Sequence, residues 1–533
     1  MDVPLNWLNS SLIPLGLFGS VAAMNWKLPH PALTELLTAL TQTHTPVYIV
    51  GGAVRDLLLQ RQVKLTDLDL VVGQNAIPIA RSVADRLGWA YYPLDETRDV
   101  ARLVFMPGAD TPLVCDIAGM RGGSIEADLL LRDFTINAMA LAYTSAQVEP
   151  TLIDIAGGQA DLAHRQIRRV TAASMADDPV RLLRAVRLAN QFDFTLESET
   201  ETQSRRLAHT VQFVSPERVR DELWKLLLTP TPQRGIQQLQ ELGLLAYVLP
   251  EVAATVGVEQ SLPHLYPVFE HTLNAVEHAA MLRAWIMGDD ATPFNEAHAF
   301  LHDKLGRWHH RLRHHLGTTV GSNRRRADWL IWFALFHDVG KPQTRLVETQ
   351  DDGTMRTRFY EHEGIGAEMT EQRLSALRFN RSEIELARAV VYSHMRPHHL
   401  HMSFAGQNIS RRAAFRFFRD VGTKQTGIGP GLDTLLVALA DRLSVTQDIP
   451  PDTSGYLTHI DEMLRYAFEE AAQPPPPLVD GHMLMQRLAI KPGPRLGILM
   501  EHVMEAQAAG EIKTTDEALQ LAASWLDRNG GSA

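Results

Sequence analysis

Val47-Tyr48-Ile49-Val50-Gly51-Gly52-Ala53-Val54-Arg55-Asp56 and, a few residues on, Leu65-Thr66-Asp67-Leu68-Asp69-Leu70-Val71-Val72 decide how this chain reads. The β-branched and aromatic run Val47 to Val50 reads as a buried strand. Gly51 and Gly52 carry no Cβ, so the backbone can turn tightly there and approach a ligand closely. A helix with Leu57, Leu58 and Leu59 follows, its first amides facing whatever sits on the glycines. The second strand, Leu65 to Val72, carries Asp67 and Asp69, and residues i and i+2 of a strand point to one face. Two convergent carboxylates opposite a phosphate-facing glycine turn suit divalent metals that bridge a nucleotide's phosphates. Either half alone is compatible with an ordinary α/β unit and solvent-facing aspartates. Their joint occurrence favours the metal-nucleotide reading.

At 533 residues the chain is too long for one core and implies roughly three or four domains. Its 45% hydrophobic and 21% charged content is that of an ordinary globular protein. A net charge of -11 argues against wholesale coating of nucleic acid but leaves room for a local basic groove. The one cysteine, Cys115, excludes intrachain disulfides and cysteine-based metal sites, which fits a reducing compartment. The apolar stretch Ser11 to Met24 is short for a bilayer span, is broken by Pro14 and glycines, and follows no Lys or Arg. The expectation is a cytoplasmic protein, with no membrane partner, whose first residues are an extension.

From Pro31 to about Tyr143 strand-like and helix-like runs mix, with helices expected near Ile79–Leu87 and Asp133–Ala142. From Asp161 onward apolar residues recur at three and four spacing, which predicts helix for the rest of the chain. The run Gln473 to Pro477, with four consecutive prolines, is the clearest linker.

Three further clusters carry chemistry. In Leu131-Arg132-Asp133-Phe134-Thr135-Ile136-Asn137, the cation, carboxylate and amide of Arg132, Asp133 and Asn137 fall near one side of a helix start and can grip a ribose and triphosphate. Upstream, Asp116 ends the strand-like run Leu113 to Ile117 and is a candidate third metal carboxylate. In Asp177-Asp178-Pro179-Val180-Arg181-Leu182-Leu183-Arg184-Ala185-Val186-Arg187, Asp178 is a good N-cap and Pro179 a good first helical residue. Arg181, Arg184 and Arg187 then form one cationic edge, with Asp178 beside Arg181 at i, i+3. In the second half His271, His337-Asp338 and Asp441 offer two imidazoles and two carboxylates suited to a divalent metal, and His362, His394 and His399 can support a second. Between them, about Trp285 to Arg326 reads as an insertion whose basic helix is solvated rather than bound to nucleic acid.

G-G-A-V-R-D with D-L-D, then R-D-F-T-I-N-A-M-A, D-D-P-V-R-L-L-R-A-V-R and the helix Ser215-Pro216-Glu217-Arg218-Val219-Arg220-Asp221-Glu222-Leu223-Trp224-Lys225-Leu226-Leu227 resemble, in order, the bacterial class II tRNA nucleotidyltransferase and poly(A) polymerase family. The likeness covers about residues 30 to 250, and H…HD…D resembles the HD metal-dependent phosphohydrolases. It implies an α+β multidomain chain: a small nucleotidyltransferase-type α/β head (26–145) after an N-terminal extension (1–25), an all-helical neck and RNA-binding region (146–262), an HD body with its insertion (263–450) and a helical tail (451–533). It further implies that Asp67 and Asp69 hold Mg2+, that Gly51, Gly52 and Arg55 assist the phosphates, and that Arg132, Asp133 and Asn137 take ribose and triphosphate. The HD site would hold a divalent metal. Asp178 and Arg181, on the helix with Arg184 and Arg187, would replace a nucleic-acid template. A carboxylate accepts from the exocyclic amine of cytosine or adenine while Arg donates to the adjacent ring nitrogen. Uracil and guanine place a carbonyl there instead, which costs about 1–3 kcal/mol per unpaired contact. The expected substrates are therefore CTP and ATP, and the expected partner is a tRNA acceptor arm, which the tail motifs Leu478-Val479-Asp480-Gly481-His482 and Lys491-Pro492-Gly493-Pro494-Arg495 would also touch.

Two departures from the family pattern matter. Asp177 stands where the family usually has Glu. More consequentially, Cys115-Asp116-Ile117-Ala118 runs through Gly119 to Ser124 into Glu126 and Asp128 with no room for the flexible loop of CCA-adding relatives. That shortening resembles relatives that add only the two cytidines. Rival readings are a poly(A) polymerase, a phosphohydrolase with an RNA-binding head, and a non-catalytic RNA-binding scaffold.

Overall fold

The computed structural model describes residues 30–61, 68–106, 112–145, 148–288, 296–321, 324–422, 427–446, 452–471 and 476–529. The N-terminal extension, Asp67 and most of the proline linker lie outside them. The chain divides into two compact units, one ending at Val214 and the other beginning at Ser215, within the stretch read as neck.

The first unit is built on a seven-stranded sheet. Its strands are β1 (Val47–Val50), β2 (Leu68–Val72), β3 (Ala90–Asp95), β4 (Val100–Phe105), β5 (Leu113–Gly119), β6 (Ala140–Tyr143) and β7 (Thr151–Ile153), in the order β3-β4-β5-β2-β1-β6-β7. Only β2 and β5 pair in parallel. The central strands read as near-continuous apolar runs because both faces are covered: Val47, Ile49, Val50, Leu70, Val71 and Val72 are all buried. Helices α1 (Pro31–Thr41), α2 (Gly52–Leu58), α3 (Ala76–Leu87) and α4 (Ile125–Leu130) belong to this layer. The leucines of α1 at 33, 36, 37 and 40 recur at helical spacing and are all buried. Ile125 and Leu129 of α4 pack with Val50, Val71 and Ala140 on one sheet face. Helices α5 (Gly158–Ala163), α6 (Ser174–Asp177) and α7 (Val180–Phe192) follow.

The helix expected over Asp133–Ala142 does not form. The carboxylate of Asp133 accepts from the Phe134 amide at 2.8 Å and turns the chain, Thr135–Asn137 make one 3-10 turn, and Ala140–Tyr143 pairs with β1 instead. A four-residue apolar run carries no period to separate helix from strand, and the open side of β1 decided it.

The second unit is mainly helical, with a hairpin of Arg345–Thr349 and Met355–Phe359 as its longest strand pair among the described residues. Its centre is the helix Arg326–Phe336, which is apolar on every side and so is buried on every side: Trp329 to Phe336 are all buried. Trp224 packs against Trp329 and Trp332 at ring separations of 5.2 and 5.8 Å. The residues 476–529 form three helices around their own cluster of Leu484, Leu499, Val503 and Ala518. No helix among the described residues is long and apolar enough to cross a membrane.

The basic helix of the insertion, His309–Gly317, is solvated as expected, with His310, Arg311, Arg313 and His314 exposed, and the insertion is also a buttress. Arg307 and the Trp308 indole bind Asp461, His309 meets the Trp285 carbonyl at 3.1 Å, and Arg324 pairs with Glu383 at 3.0 Å. His315 and Arg326 both engage Asp433, which is fully buried. Acidic partners elsewhere in the unit hold Arg307, His315, Arg324 and Arg326. Replacing Asp433 leaves a guanidinium without its carboxylate in the interior, so Asp433→Ala should cost about 3–5 kcal/mol. Urea unfolding would measure it, and a loss under 1 kcal/mol would contradict this role.

Candidate functional site

Backbone pairing assembles the first site. Asp69 of β2 lies opposite Val50 of β1 on one side and Asp116 of β5 on the other, and Asp116 lies opposite Arg102 of β4. Residues in register share a level and a face, so two carboxylates and a cation line up across three strands. Arg102 grips Asp116 bidentately at 2.7 and 2.8 Å, which makes Asp116 an ion-paired neighbour of Asp69. Strand β1 ends at this level, and Gly51 leaves it with φ of 73°, where a side chain is strained. A Cβ on Gly51 would stand 3.1 Å from Asp69 Oδ2 and 3.5 Å from Arg132 Nη1, so the bare turn is what lets both approach.

The Arg132–Asn137 segment closes the same corner. Arg132 is held by Asp128 at 3.0 Å, and Asp128, buried, also receives Arg121 at 2.8 Å. Arg55 Nη1 donates to Asn137 Oδ1 at 2.7 Å, Asn137 Nδ2 donates to Asp133 Oδ1 at 3.3 Å, and Arg184 Nη1 donates to Asp133 Oδ2 at 3.1 Å. Burial works to raise the Asp133 carboxyl pKa, but the Arg184 guanidinium and the Phe134 amide outweigh it and hold the group below the usual carboxylate range. One continuous chain of polar contacts thus joins the glycine turn of α2 to the arginine edge of α7.

Asp178 is extended, between α6 and α7, one residue earlier than a helical cap would be. Arg181 is pinned: Nη2 donates to the Leu131 carbonyl at 2.9 Å, and Nη1 to those of Ser174 and Arg132 at 3.0 and 3.4 Å. Arg187 Nη1 donates to Gln191 at 2.8 Å. The cationic edge is therefore tied into its own unit. Sequence reasoning missed Asp56 and Asp128, the carboxylates that orient Arg55 and Arg132 although they stand one and four residues from them, and Arg102, whose partner Asp116 is set by strand pairing.

The second site sits at the C-terminal end of the buried helix Arg326–Phe336. Two groups of possible metal ligands share one carboxylate: His271, His337 and Asp338, and Asp338, His362 and His394, all buried. Asp338 Oδ2 lies 3.1 Å from His337 Nε2, and its Oδ1 lies 3.3 Å from His362 Nε2. Asp441 Oδ1 is 3.0 Å from His271 Nε2. The Nδ1 atoms of His337, His362 and His394 meet the carbonyls of Ala334, Phe359 and Val391 at 2.7, 2.9 and 2.6 Å. Donation there turns each Nε2 lone pair toward the cluster, the outer arrangement that metal-binding histidines use. The donor set fits divalent metal, which His271, His337, Asp338, His362 and His394 would hold. His399 belongs to neither group. Unforeseen in sequence, Lys341 Nζ lies 2.6 Å from Asp338 and 2.7 Å from Gln260, and the His264 ring stands edge-on to His271. Lys341 was visible at i+3 from Asp338, whereas His264 gave no spacing signal.

Burial lowers the His337 pKa, but the carboxylates of Asp338 and Asp441 reverse this and push it up to about 10. Metal uptake must then expel its proton, so affinity should rise about tenfold per pH unit between roughly pH 7 and 9. Calorimetric titration with Mn2+ in buffers of different ionisation heat counts that proton, and uptake without proton release would contradict the assignment.

Residues 47–168 match the family model for the poly A polymerase head domain, residues 193–255 that for a probable RNA and SrmB-binding site of polymerase A, and residues 268–446 that for the HD domain. Over 499 residues the chain is 33% identical to an A-adding tRNA nucleotidyltransferase of Deinococcus radiodurans, spanning 91% of this chain and 96% of the relative. A CC-adding tRNA nucleotidyltransferase of Thermus thermophilus is 32% identical over 489 residues, spanning 90% and 94%. The fold is similar to that of a Thermotoga maritima CCA-adding enzyme solved with tRNA, with a TM-score of 0.59 at 21% identity over 95% of this chain and 99% of that one. Head, RNA-binding region and HD domain follow one another in the matching order, and the chain belongs to the tRNA nucleotidyltransferase and poly(A) polymerase family.

Proposed function

We propose that the protein extends the 3′ end of tRNA by template-independent nucleotidyl transfer from CTP, stopping after two cytidines. The observation that carries the transfer reading is the meeting of Asp69, the bare Gly51 turn, Arg132 and the Arg55–Asn137–Asp133–Arg184 chain at one corner of the head. Asp67 and Asp69 would hold Mg2+, which when bound supplies charge stabilisation at the attacked α-phosphate and the leaving pyrophosphate. Arg55 and Arg132 face the phosphates, and Asp133 with Asn137 orients the ribose. Asp178 accepts from the cytosine amine. Arg181 spends three of the five guanidinium donors on backbone carbonyls, which leaves two, the number that N3 and O2 of cytosine accept.

The short connection supports the stop after CC. From the end of β5 at Gly119 the chain makes one 3-10 turn, Arg121–Gly123, and the six-residue α4, and then reaches Arg132 directly. Of the relatives above, the Thermus protein is named CC-adding and the Deinococcus protein A-adding; an A-adding chain would leave tRNA lacking its CCA end unextended and add one adenosine to tRNA that already ends in CC. A second chemistry is proposed for the HD body, hydrolysis of phosphate esters, on the strength of the Asp338-bridged ligand groups.

Incubating tRNA that lacks its CCA end with CTP and ATP together, and sequencing the products, should give ends at CC. Ends at CCA would overturn the stop, and long A tails on unrelated RNA would favour a poly(A) polymerase. Asp69→Ala should lower extension at least about a thousandfold while leaving phosphatase activity unchanged, and His337→Ala should do the reverse.

A further inference from the structure

Arg55 carries a charge in a nearly closed place, and one of its contacts has no counterpart in the site described so far. The residue is only 8% exposed. Asp56 Oδ1 takes Nε and Nη2 at 2.9 and 2.8 Å, Asn137 Oδ1 takes Nη1 at 2.7 Å, and Nη2 stands 3.2 Å from where a Cβ on Gly52 would be. Three of its five N–H donors are thus taken by Asp56 and Asn137, which leaves one on each terminal nitrogen to meet a phosphate. A face of the plane is covered by Phe192, whose ring centroid is 4.4 Å from Arg55 Cζ. Arg61, just beyond the end of α2, lies 5.1 Å from the same centroid. An aromatic face attracts a cation through its quadrupole, and more strongly where water is excluded.

The ring belongs to the last residue of α7, the helix that also carries Arg181 and Arg184. Helix α2 is only seven residues long and buries few side chains of its own, Ala53, Val54 and Arg55. Its contact with α7 through two guanidinium groups therefore adds a restraint on where Arg55 points, beside the hydrogen bonds to Asp56 and Asn137. We propose that Phe192 is a positioning residue for nucleotide binding, holding the Arg55 guanidinium against the triphosphate and keeping the phosphate turn in step with the base-reading helix. The inference rests on the reading of Arg55 as a phosphate contact.

The test uses the full-length protein and equilibrium binding of CTP and of CMP. Phe192→Leu keeps apolar bulk but removes the π face; it should weaken CTP about fivefold and CMP less than about twofold, with the thermal midpoint unchanged. Phe192→Tyr retains the face and should bind CTP within about twofold of the parent. Equal weakening of CTP and CMP, or a leucine variant as good as the parent, would overturn the proposal while leaving Arg55 in place. Arg55→Ala is the separate arm: if it weakens CTP but Phe192→Leu does not, only the positioning role falls, and if it leaves CTP binding intact, the phosphate reading falls with it.

Discussion

Strand β1 gives up its ladder at Val50, level with Asp69 on one neighbour and Ala140 on the other, and the chain leaves the sheet through Gly51 at positive φ. The rest of the head depends on that level. Because Asp69, Asp116 and Arg102 are set by strand pairing, their spacing follows from the roughly 4.8 Å between strands and not from long flexible side chains. A corner made in this way is preorganised: the ligand meets groups already aimed at it, and little conformational entropy is left to lose.

The two sites solve the same electrostatic problem in opposite ways. In the head, buried carboxylates such as Asp128 and Asp133 sit behind the cations and orient them, leaving positive charge in front for an anionic ligand. In the second unit, backbone carbonyls sit behind the imidazoles, and the carboxylates of Asp338 and Asp441 stand in front, for a cation. The end of an apolar, fully buried helix gives the second arrangement a rigid seat, since His337 and Asp338 continue directly from it.

Much of this was legible in the residues. The apolar run before Gly51 is a strand, Asp69 faces the turn, Arg132, Asp133 and Asn137 share one corner, and five of the expected histidine and aspartate ligands fall into two groups around Asp338. What failed has a common cause. The strand Ala140–Tyr143 was mistaken for helix because the open side of β1, 90 residues earlier, selects its conformation. The anchoring of the insertion gave no local signal because Asp433 and Asp461, which hold it, come more than a hundred residues later. Phe192 carries no polar atom and no spacing signal, and only tertiary packing brings it onto Arg55. Local pattern reports what a residue can do, while the partner that makes it do so is often remote.

Arg181 fixes α7 to its own unit through main-chain carbonyls of Leu131, Arg132 and Ser174. A carbonyl is present whatever side chain the position bears, so substitutions at Leu131 or Ser174 that preserve the backbone path leave this clamp in place. On the proposed reading of Arg181, the anchoring of the helix and its choice of base would be carried by different donors of one guanidinium. Nucleotide preference could then drift through the groups around the two remaining donors without loosening the scaffold.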